Sequence, residues 1–107
     1  MVYTQFNIVS GCPFRQSKTS ARPGCQIDYL IQTTTKNLFI CEFKFERREL
    51  GLDIISDVKQ KSDVLKVPRG FAKIPVLFHI GGVSSGVATS DYFYKIIDIA
   101  DFLKKEE

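Results

Sequence analysis

The sequence predicts a mixed α/β sandwich with element order ββ(β)αβ(β)α and at least one crossover between strands. Three observations predict it. Two strand signals, QIDYLIQ and NLFICEFKFE, flank a Thr-rich turn at Thr34 and Thr35. Residues 50–66 (LGLDIISDVKQKSDVLK) place Ile54, Val58 and Leu65 on one helical stripe, with Ile55 and Ser62 beside it. Residues 73–80 (KIPVLFHI) form a short, strongly apolar run suited to a strand buried on both faces.

The remaining elements follow in order. Residues 2–10 (VYTQFNIVS) mix β-branched and aromatic side chains and predict a first strand. Residues 11–24 carry Gly, Pro and Ser punctuation and predict a long loop, which in a small domain is functional or mobile. The two central signals predict a β-hairpin. Val67-Pro68 ends the helix, because a residue before proline avoids helical angles. A Gly/Ser-rich loop is predicted over residues 81–90, a last strand over 92–97 and a short closing helix over 99–105.

Composition confines the function. The chain has 107 residues, 44% hydrophobic and 25% charged, as expected of one folded domain spanning residues 1–107 rather than a disordered or fibrous chain. No apolar run is long enough to cross a bilayer and no basic-then-apolar leader follows Met1, so a cytoplasmic location and no membrane partner are expected. Cys12, Cys25 and Cys41 form no C-x-x-C pair and have only His79 as a companion; idle reduced thiols are expected rather than zinc. The net charge of +3 is uneven, since Arg15, Lys18 and Arg22 precede Asp28 and no acidic residue does. Such a segment suits phosphates, or forms a solvated loop.

Side chains alternate faces along a strand. In the second hairpin strand Phe39, Cys41, Phe43 and Phe45 share one face, and Leu38, Ile40, Glu42, Lys44 and Glu46 the other. The first face is apolar throughout and is expected to pack under the helix. In the first strand Gln26, Asp28, Leu30 and Gln32 share a face, opposite Ile27, Tyr29 and Ile31. A turn centred on Thr35 sets Asp28 across from Glu42 and Gln26 across from Lys44. Opposed residues have Cβ atoms roughly 4.5–5.5 Å apart, and two carboxylates that close need a counter-charge. A divalent cation supplies it, and hard oxygen ligands suit Mg²⁺ or Mn²⁺. Lys44, two residues along from Glu42, would orient or help deprotonate the attacking water. Carboxylate, carboxylate and lysine thus suit phosphodiester hydrolysis. Alternating Glu and Lys also occur on any solvated sheet, so the spacing alone leaves both readings open.

The runs PGCQIDYLI, ICEFKF and DVKQKSDVL resemble the PD-(D/E)XK nuclease superfamily, whose fold is a restriction-endonuclease-like mixed β-sheet flanked by helices. More narrowly, the pairing of G-C-Q-I-D with C-E-F-K-F is similar to the nuclease-like C-terminal domain of archaeal-type ATPases. The resemblance implies Asp28 and Glu42 as metal ligands, with the backbone carbonyl of Phe43, and Lys44 as the catalytic lysine. Lys61 falls where that family keeps a helix lysine. On the residues alone it lies on the Ile54–Val58–Leu65 stripe, where its stem would follow the core and its ammonium reach the site edge, with or without a function. The resemblance further implies Mg²⁺ or Mn²⁺, DNA as substrate, a linked or separate ATPase and a homodimer. Two features depart from the pattern. No opening helix is predicted before the first strand and no acidic residue precedes Asp28, and no G-x-x-x-x-G-K-[ST] run occurs; an N-terminally truncated fragment would account for both.

Other residues call for ordinary roles. His79 within VLFHI suits a core histidine with a backbone partner, and Gly81-Gly82 an ordinary turn. Arg47, Arg48, Lys59, Lys66, Arg69 and Lys73 alternate with acids, so ion pairing explains them as well as a nucleic-acid groove does. Tyr92, Phe93 and Tyr94 suit packing more than base stacking. Two functions therefore stand: a divalent-metal-dependent deoxyribonuclease, or a non-enzymatic module serving DNA binding, dimerisation or control of an ATPase.

Overall fold

The structure, a computed structural model, describes residues 7–101. Its elements run β1 (Ile8–Gln16), β2 (Cys25–Thr33), β3 (Asn37–Lys44), α1 (Asp53–Val64), β4 (Ala72–His79), α2 (Ser85–Thr89) and β5 (Lys95–Asp98). The five strands form one sheet in sequence order. β1, β2 and β3 are antiparallel neighbours, whereas β4 runs parallel to β3 and β5 parallel to β4. Parallel neighbours need a crossover, and α1 and α2 supply the two. The fold is thus mixed α/β, as the sequence pattern predicts. No described helix is long and apolar enough to cross a membrane.

The hairpin turn falls where expected. Buried Thr33 accepts the Asn37 N–H at 3.1 Å, and Lys36 takes a positive φ of 64° to close the turn. The resulting register pairs Tyr29 with Cys41, Leu30 with Ile40, Ile31 with Phe39 and Gln32 with Leu38. It is the register of a turn centred near Thr35.

Several expectations are corrected. The first concerns the N-terminal strand. β1 begins at Ile8 and runs through Gly11 and Pro13 to Gln16, so the first part of the expected 11–24 loop is strand while residues 17–24 are loop, closed by an isolated bridge between Thr19 and Arg22; residues 2–6 lie outside those described. Gly and Pro fit because β1 is an edge strand, where a missing donor costs little. Gly11 also lies against the Tyr29 ring, which a Cβ there would meet at 3.1 Å.

The second concerns the faces of the sheet. α1 covers the face carrying Ile40, not the face of Phe43 and Phe45. Ile27, Ile40 and Leu65 form one buried cluster; Leu50, Ile54, Val58, Leu77, Val87 and Phe93 form another. Phe43 and Phe45 are 37% and 54% exposed on the far face. Glu42 can lie beneath a helix because that helix brings its own cation, as shown below.

The third concerns the alternation within β2. Cys12 pairs with Leu30 and Phe14 with Ile27, so Asp28 and Tyr29 together oppose Pro13. This bulge puts Ile27 and Leu30 against the same core cluster, where strict alternation would have separated them.

The fourth concerns the loop over residues 81–90, which contains helix α2, capped by Ser84 Oγ accepting the Val87 N–H at 3.3 Å. Gly81 is required there. A Cβ would stand 2.3 Å from the Glu46 carbonyl oxygen, where the chain leaving β3 passes beneath. β5 replaces the predicted 92–97 strand with a shorter one. Residues 99–101 are helical, and the rest of the expected closing helix lies outside the described residues.

Candidate active site

The site lies where β2, β3 and α1 meet. Glu42 projects from β3 toward α1 and is 1% exposed. A carboxylate so far from water needs compensation, because desolvating a lone charge is costly. Lys61 provides it from α1, its Nζ donating to Oε1 and Oε2 of Glu42 at 3.1 Å each. Lys44 lies two residues further along β3, with Nζ 3.4 Å from Glu42 Oε2. The two lysines keep side-chain exposures of 30% and 29%, against 2% for Glu42. Their stems follow the protein while their ammonium groups remain partly wet.

The position of Lys61 follows from the helix. Ile54, Val58 and Leu65 are buried, and Lys61 shares their stripe at the spacing of one helical turn. Its ammonium thus reaches the sheet at Glu42.

Asp28 is half-buried and reaches β3 differently from the expected pairing. The β2–β3 ladder ends at Tyr29 and Cys41, so neither Asp28 with Glu42 nor Gln26 with Lys44 forms a ladder pair. Instead Asp28 Oδ2 accepts the backbone N–H of Phe43 at 2.8 Å. Beyond the end of the β2–β3 ladder, the Asp28 side chain takes that N–H in place of a β2 backbone carbonyl. In an antiparallel ladder a residue's N–H and C=O leave from the same edge. The Phe43 carbonyl therefore faces the Asp28 side of β3. The structure thus brings Asp28, Glu42, Phe43, Lys44 and Lys61 together.

The donor set can be tested against a divalent cation. No group of three His, Cys, Asp or Glu side chains able to hold a metal occurs among the described residues. Two carboxylates and a backbone carbonyl are nevertheless the partial, hard-oxygen set that Mg²⁺ uses when water and substrate phosphate complete its shell. The residues fit such an ion.

Several side chains take ordinary roles. His79 is buried and its Nδ1 accepts the Gly82 N–H at 3.2 Å, the expected core histidine. Phe93 is buried, with Tyr92 edge-on to it at 5.0 Å. The three cysteines are free, and burial pushes the Cys41 thiol up to about 11. Gln16 was not singled out by any sequence signal. Its Nε2 donates to the Val64 carbonyl at 2.8 Å and the Pro23 carbonyl at 2.9 Å, while its Oε1 accepts the Lys66 N–H at 2.8 Å. It ties the end of β1 to the end of α1, across a separation that no local pattern encodes.

No family model and no curated protein matches the chain. A solved structure does: the crystal structure of a repair endonuclease from Pyrococcus abyssi, with a TM-score of 0.54 and 18% identity, covering 82% of this chain. The fold is restriction-endonuclease-like. The chain spans 38% of that protein's length, and at this identity the likeness is one of fold.

Proposed function

We propose that this domain is a PD-(D/E)XK-type, divalent-metal-dependent nuclease that hydrolyses DNA phosphodiesters. The observation that carries the reading is the buried Glu42 carboxylate gripped by Lys61 and Lys44, one residue from the Phe43 peptide held by Asp28. That the solved neighbour is a repair endonuclease supports it. Asp28, Glu42 and the Phe43 carbonyl would hold Mg²⁺ or Mn²⁺. When bound, the cation acidifies a water and neutralises charge developing on the phosphate. Lys44, held to Glu42 by a single longer contact, would orient the attacking water and take part in its deprotonation. Lys61 would keep the Glu42 carboxylate aimed and offer its ammonium to the substrate phosphate. The resemblance to ATPase-associated domains adds a linked or separate ATPase as a partner, in a cytoplasmic assembly in which a second copy of the chain would complete a dimer.

The test combines binding and cleavage. Calorimetry should show Mn²⁺ binding that is lost in Asp28→Asn and Glu42→Gln, and Lys44→Ala should fold and bind Mn²⁺ yet leave DNA uncut. Intact plasmid, linear and branched DNA after incubation with Mn²⁺, together with no heat of metal binding, would remove the catalytic reading. The second reading, a non-catalytic DNA-binding or regulatory module, is favoured by one observation. Among the described residues no third metal-donor side chain accompanies Asp28 and Glu42.

A further inference from the structure

Beside the Asp28–Glu42 centre the surface is not flat. Three clefts meet at Gln26. The first is shared with Asp28 and Arg15, the second with Gln60 and Lys61, and the third with Arg15 and Lys18. They join the candidate active site to the N-terminal basic segment. Arg15 and Gln26 are direct partners across the β1–β2 ladder, so their backbones are fixed by the sheet although both side chains are exposed. Gln26 stands two residues from Asp28, about 7 Å along an extended strand.

The charges of this path are unequal in kind. Lys61 and Lys44 are committed to Glu42. The side chains of Arg15, Lys18 and Gln26, by contrast, make no hydrogen bond or ion pair with any described residue, and Asp28 contributes the one carboxylate on the cleft walls. A guanidinium and an amide held open at the rim of an acidic centre match a chain of phosphodiesters. The guanidinium offers a planar fork to two phosphate oxygens, and the amide adds a neutral donor.

We infer that the cleft around Gln26 is the track for the backbone of the nucleic-acid strand, with Arg15 gripping the phosphate next to the scissile one and Gln26 fixing its position. This rests on the nuclease reading for which phosphate is the scissile one, not for the binding of the strand. Gln16 holds the track in shape, because it anchors the end of β1 and Pro23 to the end of α1.

The experiment is fluorescence anisotropy of a labelled 20-base-pair duplex in EDTA, titrated across salt concentrations with wild type, Arg15→Ala, Arg15→Gln, Gln26→Ala and Arg22→Ala. Arg22 lines none of the three clefts and serves as the comparison. Arg15→Ala is expected to weaken binding by about tenfold at low salt and to lower the slope of log K against log salt by about 0.9, the value for one released phosphate contact. Arg15→Gln should show the same lost slope, which separates charge from any folding defect. Gln26→Ala should weaken binding by about threefold with the slope unchanged, and Arg22→Ala should change neither. Equal losses in Arg15→Ala and Arg22→Ala, unchanged binding in Arg15→Ala, or no binding of DNA by wild type would each overturn the track. Because no metal is present, the outcome is separate from catalysis. A protein that never cuts but keeps the Arg15-dependent slope retains the track and loses the nuclease. One that cuts with an unaltered slope in Arg15→Ala retains the nuclease and loses the track.

Discussion

Replacing Lys61 by methionine removes the cation from Glu42 while keeping the length of the helix side chain. The carboxylate has 2% side-chain exposure and would keep Lys44 alone, 3.4 Å from one of its oxygens. Breaking a fully buried ion pair costs about 3–5 kcal/mol, whereas an exposed one is worth at most about 1 kcal/mol. Lys61 is 30% exposed, so its loss lies between these limits, at about 2 kcal/mol. For a domain of this length that lowers Tm by roughly 8–16 °C. Thermal melts by circular dichroism in EDTA measure it. Two further results follow from the same geometry. Glu42→Gln/Lys61→Met should recover more than half of the loss, because the uncompensated charge is gone. Saturating Mn²⁺ should raise the Tm of Lys61→Met more than that of wild type, because no ammonium then competes for the two Glu42 oxygens. A Lys61→Met protein melting within about 2 °C of wild type, or a double variant no more stable than the single one, would refute Glu42 as a carboxylate that depends on Lys61; the limit is far below the shift expected for this domain.

Other perturbations test the rest of the structure. Gln16→Ala should cost about 1–2 kcal/mol and speed proteolysis between β1 and β2, since two carbonyls and one N–H lose their partner. Gly81→Ala should destabilise by about 2–3 kcal/mol, because the added methyl meets the Glu46 carbonyl; chemical denaturation with an unchanged m-value would show it. Burial raises the folded Cys41 thiol from 9.0 to about 11, so the unfolded chain releases that proton first as pH rises. Its contribution to stability is complete below pH 9.0 and is lost as pH approaches 11, and Cys41→Ala should flatten denaturation midpoints across that window. In the native state a thiol reagent should modify exposed Cys12 well before Cys41, and equal rates would contradict the burial.

The hairpin was legible because its signals are local. Thr34 and Thr35 mark the turn, and the alternation from Leu38 to Lys44 names the residues sharing a face. The stripe of Ile54, Val58 and Leu65 likewise placed Lys61 on the inward side of α1, from which its ammonium meets Glu42. The alternation could not say which face α1 would cover. An all-apolar face carrying Phe43 and Phe45 is the stronger hydrophobic signal, and it predicted the wrong side. Burial of Glu42 becomes affordable only when a lysine on the covering helix is counted, and that pairing spans α1 and β3.

By itself, then, the sequence determined the order of elements apart from α2, the register of the hairpin and the residue types of the candidate centre, because turn chemistry and side-chain periodicity act between neighbours. Only the tertiary structure decided that β1 continues through Gly11 and Pro13, that Asp28 and Tyr29 bulge opposite Pro13, and that Asp28 holds the Phe43 N–H in place of a ladder partner. Those features depend on which strand lies at an edge and which backbone groups are left without a partner once the sheet has formed. The physical reason is the obligation to satisfy buried polar groups, which is settled between segments distant in sequence.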